Sequence, residues 1–229
     1  MVKVIAYDKD GTLLNYEKIW TPFAKVSLDA FEAHFNLPYD DEFRRELGYV
    51  DGTIQPNSTF ASGTGKDIQN AYEKRAKGGA DWAEDFYIKH VSEYLKNMEL
   101  LPDAVEVLKE GKRLGYKNAI VTSDSRLSTE AFIKKFNLND YIDFVIAGDD
   151  SEYSKPDVNV LDSIIEAGYE YKDIVVVGDN YTDTRLGIKN GVRTIGVLSG
   201  TSTKEYLEDA NIILNGVGEL FNNGKFIIQ

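Results

Sequence analysis

Asp8 and Asp10, separated by Lys9 and followed by Gly11, are the residues whose types and spacing most directly invite chemistry. They end the run Val2-Lys3-Val4-Ile5-Ala6-Tyr7, whose β-branched and apolar residues read as a buried strand. In extended chain an i, i+2 spacing turns both side chains to one face, so two carboxylates converge at a strand end. Like charges held close repel and raise one another's pKa; a cation or a reaction can justify the pairing. A solvated turn is the alternative, because Asp and Gly are ordinary turn formers. This stretch alone leaves both readings open.

The other strand ends favour chemistry. Thr122-Ser123-Asp124-Ser125 follows one apolar run; Gly148-Asp149-Asp150 follows a second and leads into Ser154-Lys155-Pro156. Gly178-Asp179-Asn180-Tyr181-Thr182-Asp183 follows a third. Open α/β sheets collect their sites at the carboxyl ends of strands, so these segments should share one crevice. Carboxylates, a hydroxyl cluster and one lysine, with no His or Cys, are the ligand set of a hard cation such as Mg²⁺, which prefers oxygens and substrate phosphate. The chain has no cysteine and two histidines, His34 and His90, so thiolate and multi-histidine metal sites are ruled out.

The elements that must position these groups follow from periodicity. Apolar positions at helical spacing run over residues 16–36 (Trp20, Ala24, Leu28, Phe31, Phe35), and again over 40–47 and from Lys66. That pattern breaks at Gly78-Gly79 and returns over 80–98. Between them residues 48–65, rich in Gly, Ser, Thr and Asn, read as a long mobile loop. From Leu101 helices and strands alternate: helices over 103–114, 127–136, 159–167, 184–189 and 204–208, strands over 118–122, 142–147, 174–177, 193–197 and 211–214. Such alternation predicts an α/β fold, a doubly wound parallel sheet with helices on both faces. Residues 1–14 and 99–229 would form this Rossmann-like core, and residues 15–98 an inserted helical cap.

With 38 acidic against 26 basic side chains the net charge is −12. That argues against a nucleic-acid partner and suits a monomer or small homo-oligomer. The N-terminal apolar run is too short for a signal peptide or a membrane span. The expected location is the cytoplasm, with no membrane partner.

Asp8-Lys9-Asp10-Gly11-Thr12-Leu13, Val121-Thr122-Ser123, Ser154-Lys155-Pro156 and Gly178-Asp179-Asn180-Tyr181-Thr182-Asp183 resemble, in order, the four motifs of the haloacid dehalogenase superfamily of phosphohydrolases. The layout is similar to its phosphoglycolate phosphatase and beta-phosphoglucomutase branch. The resemblance implies a Mg²⁺-dependent phosphatase of a small phosphorylated metabolite. Asp8 would be the nucleophile and Asp10 the general acid and base. Asp8, Asp179 and the backbone carbonyl of Asp10 would hold Mg²⁺. Thr122, Ser123 and Lys155 would bind the phosphoryl oxygens, Asp183 would support the metal shell or Lys155, and the cap would choose the substrate. A sugar phosphomutase and a non-catalytic binding module are the alternatives. Lys9 departs from the family, which usually carries an apolar residue there; it either leaves a cation near the site or snorkels to solvent.

Other features receive plainer readings. Asp124, Asp149 and Asp150 are expected to be solvated or capping groups. Ser62-Gly63-Thr64-Gly65-Lys66 resembles a phosphate-binding loop, but Asp67 replaces the required Ser/Thr and no strand precedes it. It is not a nucleotide site, although it could face substrate from the cap. Trp20, Phe31, Trp82 and Phe86 are expected to be cap core, and His34 and His90 surface or packing residues.

Overall fold

The computed structural model describes residues 2–228. After β1 (Val4–Tyr7) comes a mainly helical block. It contains α1 (Trp20–His34), α2 (Asp41–Leu47), the short strands β2 (Tyr49–Val50) and β3 (Thr53–Ile54), α3 (Thr59–Ser62), α4 (Gly65–Arg75) and α5 (Gly79–Leu95). Alternation then begins: α6 (Ala104–Arg113), β4 (Lys117–Val121), α7 (Arg126–Lys135), β5 (Phe144–Ile146), α8 (Asp162–Glu166), β6 (Ile174–Gly178), α9 (Tyr181–Thr184), β7 (Arg193–Val197) and β8 (Ile212–Leu214). A hairpin, β9 (Phe221–Asn222) with β10 (Lys225–Phe226), closes the chain.

Six strands form one parallel sheet in the order β5-β4-β1-β6-β7-β8. The strands bearing the first and last predicted motifs, β1 and β6, are neighbours at its centre, with Ala6 beside both Ala119 and Val176. Successive residues of a strand face opposite sides, and both sides here are apolar. Ile5, Tyr7, Val175 and Val177 pack with α6 and α7, whereas Val4, Ala6, Ile174 and Val176 pack with α8. That is the continuous apolar run expected of a strand covered on both faces, and the doubly wound α/β fold is as the alternation predicts.

The helical block has its own core of Leu28, Phe31, Phe43, Leu47 and Tyr72. Its two connections to the sheet run side by side: Leu14 bridges Leu100, Asn15 N–H donates to Glu99 O at 2.8 Å, and Leu101 N–H to Leu13 O at 2.9 Å. Both histidines pack on aromatic rings, His34 on Phe35 and His90 on Phe86.

Several local expectations change. Residues 48–65 are not a structureless loop but the β2–β3 hairpin and the helical turn α3. Gly48, at φ +94°, ends α2, and Ser58 caps α3 by accepting from Ala61 N–H. The segment is also tied down, since Tyr16 Oη donates to Phe60 O at 2.5 Å. The helix expected over 184–189 instead begins at Tyr181 and ends at Thr184, because Asn180 and Asp183 form a capping box and Gly187 takes a positive φ of 70°. The α1 pattern starts as a separate 3₁₀ turn, Tyr16–Lys18, and residues 158–161 are 3₁₀ before α8.

Candidate active site

The predicted site residues meet at the carboxyl edge of the sheet, where Asp8, Asp10, Thr122, Ser123, Lys155 and Asp183 form the floor of a cavity of about 630 Å³ roofed by the helical block. Asp8 leaves β1 with its N–H still bonded to Val177 O at 2.8 Å. The chain then turns tightly, with Leu13 and Leu14 N–H both donating to Lys9 O at 2.9 Å. Gly11 makes that turn at φ +84°, a conformation that favours glycine. Its missing side chain matters as well, since a Cβ there would come within 2.6 Å of the Asp179 carboxylate.

Lys155 holds the centre of the floor. Its Nζ donates to Asp8 Oδ1 at 2.6 Å, to Asp183 Oδ1 at 2.5 Å and to Val121 O at 3.2 Å. Burial works against the ammonium, but Asp183 and Asp8 outweigh it and hold the lysine protonated, above its ordinary range. Burial pushes the Asp8 carboxyl up to about 6, against the pull of Lys155. Asp183 does double duty: its other oxygen accepts from Asn180 N–H at 3.1 Å, which starts α9. Thr122 lies buried at the end of β4 and accepts from Asp124 N–H at 3.1 Å, while half-buried Ser123 lines the cavity beside it.

Asp179 is fully buried behind this floor, and burial with Asp8 and Asp183 nearby raises its pKa well above the usual range. One oxygen accepts from Thr201 N–H at 2.8 Å and Asn180 Nδ2 at 3.1 Å; the other, Oδ1, has no partner among the described residues. Carboxylate oxygens of Asp8, Asp179 and Asp183 lie within 4.8 Å of one another. A buried, unpartnered carboxylate oxygen facing other carboxylates is costly unless a cation joins it. The donors are all oxygen, so the residues present fit a hard divalent cation.

Asp10 lies across the floor from this cluster's lysine, in a second charged group. Its Oδ2 pairs with Lys9 Nζ at 2.5 Å and its Oδ1 accepts from Trp20 Nε1 at 2.6 Å. Burial pushes its carboxyl up to about 6, with Lys9 opposing. Lys9 does not snorkel: it is wholly buried and also pairs with Asp124 at 2.8 Å. Asp124, expected to be a solvated or capping group, is therefore a partner of the Lys9 ammonium, although it also accepts from Ser125 N–H at 2.7 Å. Asp149 and Asp150 behave as capping and pairing groups, bound to Arg126 N–H and the Arg126 guanidinium.

Three contributions to the site are not legible in the local sequence. Trp20, expected to be cap core, belongs to the site through Asp10; no local pattern marks a tryptophan whose partner lies ten residues earlier. The turn after β7 supplies Thr201 to Asp179, and Ser199 Oγ donates to Gly11 O at 2.8 Å. The signal there was a further core strand followed by Ser199-Gly200-Thr201, small enough to approach: a Cβ on Gly200 would come within 2.0 Å of Asp179. Thr64, by contrast, caps α4 in a box with Asp67, so the Gly-rich segment before it is helix-capping chemistry.

A parallel α/β sheet with an oxygen-rich acidic floor and a buried lysine at its strand ends defines a Rossmann-like hydrolase. The haloacid dehalogenase-like hydrolase family profile matches residues 5–197, and the chain belongs to that family. Pyrophosphatase PpaX of Bacillus cereus strain Q1 is 26% identical over 210 residues, covering 90% of this chain and 88% of the relative. Among solved structures, CbbY from Rhodobacter sphaeroides in complex with phosphate aligns over 96% of both chains (TM-score 0.73, 21% identity). A predicted phosphoglycolate phosphatase from Haemophilus somnus 129pt aligns over 94% of this chain and 95% of its own (TM-score 0.72, 20% identity). At these identities the two structures speak to the fold alone. Among the described residues no helix is long and apolar enough to cross a membrane.

Proposed function

We propose that this hydrolase is a Mg²⁺-dependent phosphatase of a phosphomonoester, working through an aspartyl-phosphate, with residues 15–98 acting as its substrate-choosing cap. The observation that carries the reading is the Asp8–Lys155–Asp183 chain beside the unpartnered oxygen of Asp179. Asp8 Oδ attacks phosphorus while the bond from phosphorus to the ester oxygen breaks, and Asp10 gives that oxygen its proton. Asp10 then takes a proton from water as the water oxygen attacks phosphorus, the bond to Asp8 breaks and inorganic phosphate leaves. Lys155 and Thr122 offset charge on the phosphoryl oxygens, and Asp183 fixes Lys155. Asp8, Asp179 and the Asp10 backbone carbonyl would hold the metal, with Asp183 nearby. When bound, its charge would suppress repulsion between carboxylate and phosphate.

The Trp20 contact gives Asp10 a partner from the cap, and its raised pKa suits a group that must both give and take a proton. A mobile, leaky lid over residues 48–65 would favour hydrolysis over mutase chemistry, but that segment is folded and anchored and gives no such support. Hydrolysis is favoured instead by the roof, where the hydroxyls of Tyr16, Ser27, Tyr72 and Tyr87 are already bonded to protein partners rather than open to a second sugar hydroxyl. Chelation should abolish turnover of an aryl phosphate and Mg²⁺ should restore it. Asp8→Asn should lose turnover, on the order of 10⁴-fold or more, and lose any acid-trapped phosphoenzyme. Full turnover under exhaustive chelation would falsify the metal assignment, and an active Asp8→Asn enzyme the nucleophile.

A further inference from the structure

The roof of the cavity differs from its floor in a way that bears on the substrate. An aromatic path leads away from the reacting end. Trp20, bonded to Asp10, meets Phe23 edge to face at 6.0 Å, Phe23 meets Phe86 at 5.9 Å, and Phe86 stacks on Trp82 at 4.9 Å and 21°. Phe23 also meets Tyr87 edge to face. Two apolar side chains lining the same cavity are largely in water: Ile88 is 59% exposed and Leu127 48%. Exposed aliphatics at the edge of an aromatic cavity are expected where an apolar group must enter and be covered.

The charges point the same way. Six carboxylates line the cavity (Asp8, Asp10, Glu84, Asp124, Asp149 and Asp183) against two lysines, Lys66 and Lys155. Lys155 is already committed to Asp8 and Asp183, which leaves exposed Lys66 as the lining cation away from the floor. A second anionic group on the substrate, a carboxylate or a further phosphate, would meet Glu84 and Asp149 with little to neutralise it.

We infer that the substrate is a phosphomonoester of a bulky, uncharged alcohol carrying an aromatic or similarly flat apolar group, which lies along the Phe23–Phe86–Trp82 path while its phosphate meets Asp8. This rests on the phosphatase reading above and narrows it. It separates this chain from a specificity for pyrophosphate or a small carboxylated ester. Cavities of several hundred Å³ hold groups of that size, and covering such a group on aromatic walls is worth on the order of 10- to 100-fold in affinity.

The test compares primary alkyl esters, so that leaving-group reactivity does not set the order. With the full chain and Mg²⁺, kcat/KM for 2-(2-naphthyl)ethyl phosphate should exceed that for ethyl phosphate by about 10- to 100-fold, with 2-phosphoglycolate and pyrophosphate poorest. Phe86→Ala should narrow the naphthyl preference about tenfold or more. Glu84→Lys, an exposed change, should raise kcat/KM for 2-phosphoglycolate. A naphthyl-to-ethyl ratio near one, or 2-phosphoglycolate or pyrophosphate as the best substrate, overturns the inference and leaves the phosphatase reading standing. Failure to hydrolyse any of the four overturns that reading instead. Calorimetric binding of the same compounds to Asp8→Asn protein then decides the cavity's preference, and equal affinity for the naphthyl and ethyl esters overturns it.

Discussion

The floor and the roof of the cavity are built on opposite principles. On the floor the two lysines are buried and each is held between two carboxylates: Lys155 between Asp8 and Asp183, Lys9 between Asp10 and Asp124. On the roof the walls are rings in edge and stacked contact, and the charges are exposed. Buried charge is tolerated only where its partners are fixed in place, so the floor permits few substitutions without loss of rate or stability. Ring packing tolerates volume-conserving change, so the roof can be altered while the fold survives. Floor substitutions should therefore change the rate for every ester alike, and roof substitutions should change the ranking among esters.

The contrast breaks most visibly at Asp10. Asp10→Asn should slow hydrolysis of all esters on the order of 10²–10⁴-fold, the usual worth of a general acid–base group, with the ranking unchanged in steady-state assays. A ranking that moved with it would place Asp10 in substrate selection. Lys155→Ala comes next. The residue is buried between two carboxylates rather than exposed at the mouth, so its removal should cost about 3–5 kcal/mol in denaturant unfolding as well as activity. A stable but inactive variant would mean that the floor relaxes around the missing charge.

A smaller effect should appear in the pH dependence of the metal-free protein. Asp8 and Asp10 titrate near 6 when folded and near 3.8 when unfolded. The folded state thus holds their protons more tightly, so their contribution is present below about pH 4 and is lost as pH rises through 6. Melting temperature of the metal-free wild type should fall relative to Asp8→Asn across that window, and added Mg²⁺ should shrink the difference. The smallest effect joins the two regions. Trp20→Phe keeps the ring but loses the N–H bond to Asp10, and should lower kcat about tenfold or less. A change in ester ranking without a change in kcat would make Trp20 a wall and nothing more.

Most of the floor could be read in the sequence because each motif is local: a strand, then two to six residues of fixed type. Asp8, Thr122 and Asp179 come directly after a strand end, Asp183 lies in α9 just beyond β6 and Lys155 in the loop after β5, and the parallel fold brings those ends together without further information. What escaped reading was pairwise. Nothing near Lys9 announces Asp124, more than a hundred residues away, and nothing near Trp20 distinguishes a ring in a helical core from one bonded to a carboxylate. Short strands escaped for another reason. β2 and β3 have two residues each and so carry no period, although Asn223-Gly224 between Phe221 and Phe226, both at positive φ, was a readable hairpin turn.

The bridged connections at Leu14 and Leu100 have an evolutionary consequence. The entropy of closing an insertion depends on how close its ends lie and only weakly on its length, about 0.6 kcal/mol for each doubling. Here the two ends are hydrogen-bonded to each other through Asn15 with Glu99 and Leu13 with Leu101. Helices can therefore be lengthened, exchanged or added between them at almost no entropic penalty to the sheet. In this architecture, selection can redraw what the chamber recognises while the reacting groups beneath it stay where they are.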